Sequence, residues 1–132
     1  MVPARGAYMM KDVQRTAKYL GLSMVKTPSK FPLNTILAQR LLTVASKEDS
    51  CSVPSLSKAL WDSYWTRDLD ISNKEELKKA CERAGLTPAV ADRWLQQCDD
   101  DKIKKALIAT TEEVGISGHS ATLQCTSLRF FA

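Results

Sequence analysis

Apolar residues recur along most of this chain at intervals of three and four, the spacing that lines one face of an α-helix. In residues 7–20, Met10, Val13, Ala17 and Leu20 share such a face, and Gly21 follows where a left-handed helix stop is wanted. Residues 23–32 carry Pro28 and Pro32 and no periodicity, which predicts an extended connection. A second helix is expected from a cap at Asn34 to Ala45, with Leu37, Leu41 and Val44 on one side. After a polar interval at 46–52, a third helix takes Ser52 or Ser55 as its cap and tolerates Pro54 in its first turn. Leu56, Leu60 and Tyr64 then recur at four-residue steps beside Trp61 and Trp65, the most apolar surface in the chain.

Three more helix starts are legible. Asn73 with Glu76 three residues on reads as a capping box, Thr87 precedes Pro88, and the acidic run 99–101 precedes Ile103. Gly85 should stop the fourth helix, the aspartate run the fifth, and Gly115 the sixth, whose buried side is Ile103, Leu107 and Val114. No strand pattern competes before the tail, where two glycines, several Ser and Thr and a short apolar end at Phe130 and Phe131 suggest a frayed terminus, with one short strand as the alternative. The expected fold is therefore all-α: a helical domain over 3–114 and a poorly specified tail over 115–132.

Composition narrows this further. With 132 residues and 44% hydrophobic content the chain can build one modest core, hence one domain or part of one. No apolar stretch approaches the roughly twenty residues needed to cross a bilayer, and residues 1–8 hold no signal-peptide core, so a soluble chain without a membrane span is expected. Nineteen Lys and Arg against fifteen Asp and Glu leave +4, spread among acids instead of gathered in a run, and no nucleic-acid partner is expected.

Candidate chemistry is sparse. Cys51, Cys81, Cys98 and Cys125 form no CxxC pair, and His119 has no cysteine at ligand spacing, which reads as reduced cysteines in an intracellular protein and no metal site. A single His in an irregular tail suggests no Ser-His-Asp or Cys-His arrangement, so no catalytic residue is predicted. Gly115 and Gly118 do not sit between a strand and a helix, and no lysine follows them, which discards a phosphate cradle. Asp99, Asp100 and Asp101 lack the alternating oxygens of a calcium loop and read as helix-start charge compensation. Trp61, Tyr64, Trp65 and Trp94 at helical spacing read as core.

One run is distinctive. Leu60-Trp61-Asp62-Ser63-Tyr64-Trp65-Thr66-Arg67-Asp68-Leu69-Asp70-Ile71 resembles the L-W-x-x-x-W-x-R-x-x-D-I signature of kappa-class glutathione transferases. The neighbours agree in order. Pro3-Ala4-Arg5-Gly6-Ala7-Tyr8-Met9 is similar to the family's P-x-K/R-G-x-Y-M entry, and a Lys-Tyr-Leu-Gly helix end follows at 18–21. Phe31-Pro32, the stretch 40–44, Lys79-Ala80 through Ala84-Gly85, and 105–113 match further on. The resemblance covers about 3–114 and nothing after it.

The resemblance implies a thioredoxin-like α/β fold, related to bacterial disulfide oxidoreductases and chromene-carboxylate isomerases, of which this chain is similar to the helical insertion, with most of the thioredoxin halves missing. It implies glutathione as the family's substrate, conjugated to electrophiles, but the thiolate-stabilising serine, the loop asparagine and the Ser-Asp pair of the family find no counterpart here. Only the basic position of the entry motif carries over, onto Arg5, which would face a glutathione carboxylate. The expected function is thus a truncated kappa-class glutathione transferase, inactive alone and binding no cofactor tightly. The alternative is a helical interaction or dimerisation module whose Leu56, Leu60, Trp61 and Tyr64 surface docks a partner helix or a second copy. Mitochondrial or peroxisomal localisation is implied by the resemblance, although Arg129-Phe130-Phe131-Ala132 is no S-K-L-type peroxisomal address.

Overall fold

Helix starts in this chain are set by local chemistry. Pro54 and Pro88 stand in the first turn of their helices, where the missing N–H is one of the unpaired donors anyway. Asn73 accepts from the Glu75 amide at 3.1 Å, satisfying a free donor of the helix behind it. The computed structural model describes residues 3–22 and 28–116, with the backbone alone for residues 3–5, 7, 10 and 114–116. The helices are α1 (Pro3–Tyr19), α2 (Ile36–Glu48), α3 (Val53–Trp61), α4 (Lys74–Arg83), α5 (Pro88–Gln97) and α6 (Asp101–Ile116). A 3-10 turn (Ser50–Ser52) leads into α3, and a π turn (Asp62–Thr66) prolongs it. Among the described residues there is no strand, in agreement with the all-α expectation.

Several boundaries differ from the sequence pattern, each for a physical reason. α1 begins at Pro3, four residues before the expected start, because Pro is well suited to a first helical position. Asn34 does not cap α2 directly; its side chain accepts from the Ile36 amide at 3.0 Å in a turn, and Thr35 holds the cap position. α2 runs on to Glu48, past the expected end at Ala45. The capping box at Asn73 is half formed, since Glu76 pairs with Lys79 at 2.7 Å instead of reaching back. α6 passes through Gly115 to Ile116, so that glycine is not its stop; the rest of the tail, with His119 and Cys125, lies outside the described residues. Gly21 and Gly85 do take left-handed φ of 66° and 90° behind α1 and α4, a conformation that costs glycine little.

The core gathers α2 to α6. Leu41 and Val44 of α2, Val53, Leu56 and Leu60 of α3, Leu77 and Cys81 of α4, Ala91, Trp94 and Leu95 of α5, and Ile103 of α6 form one buried cluster. α4 packs on α5 and α3, and α2 packs on α3, α5 and α6. α1 is not among the closely packed pairs. The surface expected from Leu56, Leu60, Trp61 and Tyr64 is therefore no docking face: three of the four are consumed by the core, and Trp61 alone is half exposed. Trp94 is core as expected, but Trp61 is not and Trp65 only partly so.

Trp94 is the largest fully buried side chain, and its indole N–H needs an acceptor. It donates to Glu48 Oε2 at 2.9 Å, on which Arg93 also converges at 2.7 Å, while Gln97 donates to Oε1 at 2.6 Å. One carboxylate at the end of α2 thus gathers three side chains of α5, and these bonds, that of Gln97 foremost, hold its pKa below the ordinary value. Trp94→Ala, which leaves a cavity and an unmatched Glu48, is expected to lose about 3–5 kcal/mol. Glu48→Gln should lower stability by less, in the same direction. Denaturant unfolding followed by circular dichroism checks both, and a neutral Trp94→Ala would contradict this account.

Candidate functional site

The signature run folds into the most elaborately held part of the chain. After Trp61 the backbone leaves the α-helical register: the Arg67 amide bonds the carbonyl of Asp62, five residues back, at 3.0 Å, and that of Leu69 bonds Ser63 at 2.9 Å. Ser63, fully buried, donates to the Ala59 carbonyl at 2.6 Å and accepts from Arg83 at 2.6 Å. Arg67 pairs back on Asp62 at 2.6 Å, which holds that carboxyl below its usual range. Asp68 closes the turn with φ of 56°, a left-handed position that a short polar side chain tolerates better than most.

This turn then seizes the segment before α2. Asp68 Oδ1 accepts from the amide of Ser29 at 2.7 Å and from its hydroxyl at 3.0 Å. Lys30 pairs with Asp70 at 2.9 Å, and Tyr64 donates its hydroxyl to the Lys30 carbonyl at 3.1 Å. Phe31, whose peptide to Pro32 is cis, lays its ring 6.1 Å from that of Trp65, which stands edge-on to Tyr64 at 5.2 Å. The surface so formed is aromatic, with half-exposed Phe31 and Trp61 beside the partly buried Trp65.

Its electrostatics favour holding over reacting. Asp70 accepts from the Ser72 hydroxyl and amide as well as from Lys30, and its pKa falls to about 2. Burial raises the Tyr64 hydroxyl. Cys81 and Cys98 are both fully buried, and loss of solvation pushes each thiol up to about 11, so neither offers a thiolate at neutral pH. Cys98 donates to the Trp94 carbonyl at 3.2 Å, a packing role. Cys51 is exposed in the 3-10 turn. Among the described residues no cluster of three His, Cys, Asp or Glu could hold a metal ion; Asp99 and Asp101 are instead paired with Lys74 and Lys104.

Arg5, the one binding residue expected, stands in the first turn of α1, and its side chain is outside the described part. The structure therefore brings together a different set: Ser29, Lys30 and Phe31 with Tyr64, Trp65, Asp68 and Asp70. Spacing gave no sign of this, since the pairs lie 39 and 40 residues apart. The signal that could have pointed there was the density of acids and aromatics within the signature itself.

A helical bundle whose signature run clamps a preceding loop is matched along nearly its whole length by one family. The family described as DSBA-like thioredoxin domain matches residues 1–119. The chain belongs to that family. It is also similar to glutathione S-transferase kappa 1 from Rattus norvegicus, 30% identical over 116 residues, which cover 84% of this chain and 51% of the relative. The Homo sapiens protein of the same name is 27% identical over 121 residues, covering 85% and 51%, and that of Caenorhabditis elegans 24% over 119 residues, covering 86% and 51%. The chain spans about half the length of these relatives. As a helical portion of a DSBA-like fold, it sets Tyr64, Asp68 and Asp70 against the loop at Ser29 and Lys30.

Two outcomes follow from the geometry. Alkylation of the native chain read by peptide mass spectrometry should label Cys51 rapidly and leave Cys81 and Cys98 unmodified until denaturant is added; early labelling of Cys98 would contradict the buried thiols. Asp70, with its folded pKa depressed, contributes stability that is present above the ordinary carboxylate value near 4 and lost as pH falls towards 2. Unfolding curves between pH 5 and 2 should fall less steeply in Asp70→Asn than in the wild type.

Proposed function

We propose that this chain is a truncated form of a kappa-class glutathione transferase: it supplies the helical portion and, alone, does not activate glutathione. The observation that carries the reading is the folded signature run, which spends Tyr64, Asp68 and Asp70 on holding the loop at Ser29 and Lys30. Thiolate activation needs a donor or cation held against the glutathione sulfur, and the described side chains of this region are already committed to one another. The relatives' name supports glutathione as the substrate class. Arg5 is the residue proposed to contact it, through a bidentate pair with a glutathione carboxylate, strong recognition chemistry when desolvated but weak when solvated. The same reading assigns the chain to mitochondria or peroxisomes.

Isothermal titration of glutathione into the purified chain, with circular dichroism on the same sample, tests this. The expected result is a helical spectrum with binding no tighter than about millimolar, roughly 4 kcal/mol of affinity, that Arg5→Ala removes. Conjugation of glutathione to a chloro-dinitro aromatic acceptor should stay at the uncatalysed rate. Turnover well above that rate would end the proposal of an inactive form, and tight binding untouched by Arg5→Ala would end the role of Arg5.

A further inference from the structure

One face of α1 combines cations with aromatic rings. Counted round the helix at about 100° a residue, Lys18, Lys11, Arg15, Tyr8 and Tyr19 follow one another within an arc of about 100°. All five are exposed, Tyr19 at 89%, and the arc lies opposite Ala17, whose side chain is buried. Met9 and Leu20, also exposed, stand on the other side of the tyrosines from the cations, and Leu22 is open just beyond. The only acid of the helix, Asp12, lies at the edge of the arc beside Tyr19. Charge is concentrated here: four basic residues stand against Asp12 alone, so α1 holds +3 of the chain's +4. Exposed lysines occur elsewhere, but in acidic company, as on α6, where Lys102, Lys104 and Lys105 share the helix with Asp101, Glu112 and Glu113.

We infer that the face of α1 formed by Tyr8, Lys11, Arg15, Lys18 and Tyr19 docks on an anionic lipid surface, lying in the headgroup layer without crossing it. No helix among the described residues is long and apolar enough to span a bilayer, so the contact is peripheral. Lys and Arg reach lipid phosphates with their heads while their stems lie along apolar surface, and a tyrosine suits the boundary between tails and headgroups. The order round the helix is the one such a boundary asks for: cations, then tyrosines, then Met9 and Leu20. Two rival occupants fit less of it. A nucleic acid would neutralise the cations but leave Met9, Leu20 and Leu22 uncovered, and a second copy of the face would set cation against cation. The inference stands apart from the proposed function, since it concerns a side-chain set that neither glutathione binding nor its absence engages.

Co-sedimentation of the purified chain with vesicles tests it, using phosphatidylcholine alone and phosphatidylcholine mixed with phosphatidylglycerol. The chain should bind the mixed vesicles, leave the neutral ones, and lose affinity as salt rises. Lys11→Glu with Lys18→Glu should weaken binding at least about tenfold. Lys102→Glu with Lys105→Glu makes the same change in net charge on α6 and should weaken it less than about twofold, because the effect of a charge fades within a Debye length. Tyr19→Ser with Leu20→Ser should remove the part of the binding that survives high salt. Circular dichroism of each variant reports whether its helices are kept, and the lipid and salt dependence of the unaltered chain is read without any variant. The inference is overturned by equal binding to neutral vesicles, by binding that ignores salt, or by an α6 variant that loses as much as the α1 variant. It is overturned as well if duplex DNA binds the same face more tightly than the mixed vesicles do.

Discussion

A buried tryptophan with a polar edge constrains the whole bundle. Trp94 supplies much of the apolar volume between α2 and α5, yet its N–H has to find an acceptor once water is excluded, and an unmatched buried donor costs as much as several well-made contacts return. Glu48 is that acceptor, at the last residue of α2, and it can reach only because α2 continues beyond its apolar periodicity. The position of α2 relative to α5 follows from this bond, and Leu41 and Val44 are then carried into the same core as Leu56 and Leu77. Arg93 and Gln97 complete the carboxylate's shell at the exposed end of α2.

A second constraint sits at the far end of α3. The π turn widens the helix by one residue, which swings Asp68 and Asp70 towards the segment before α2 and leaves Tyr64 still on the buried face. Tyr64, Asp68 and Asp70 are thereby engaged with Ser29 and Lys30. A carboxyl with pKa near 2 cannot act as a general acid at neutral pH, and a tyrosine raised by burial cannot supply a phenolate. The bonds of this region hold Ser29 and Lys30 of the segment before α2.

Much of the fold was legible because helix punctuation is local. Gly21 and Gly85 adopt left-handed φ, Pro54 and Pro88 open helices, and Leu41, Leu56 and Ile103 fall on buried faces, all as their spacing implies. What failed was also local in origin. Periodicity marks an apolar face without saying what covers it, so Leu56, Leu60 and Tyr64 read equally well as a docking surface and as core. Glu76 had two partners within one turn, the Asn73 amide and Lys79, and nothing in the sequence ranks them. The candidate site was hardly legible, because the Ser29–Asp68 and Lys30–Asp70 pairs join positions that only a completed π turn brings together.

The contrast between α1 and the remaining helices has a consequence for how a split fold can be divided. Helices α2 to α6 bury their apolar faces against one another in one core, and pairs such as Lys74 with Asp99 and Arg93 with Glu48 tie them together. Such a unit does not need a sheet to exist, because each helix pairs its backbone within itself and buries its apolar face against another helix. α1 does not meet that standard, since Tyr8, Met9, Tyr19 and Leu20 on and just beyond it are exposed.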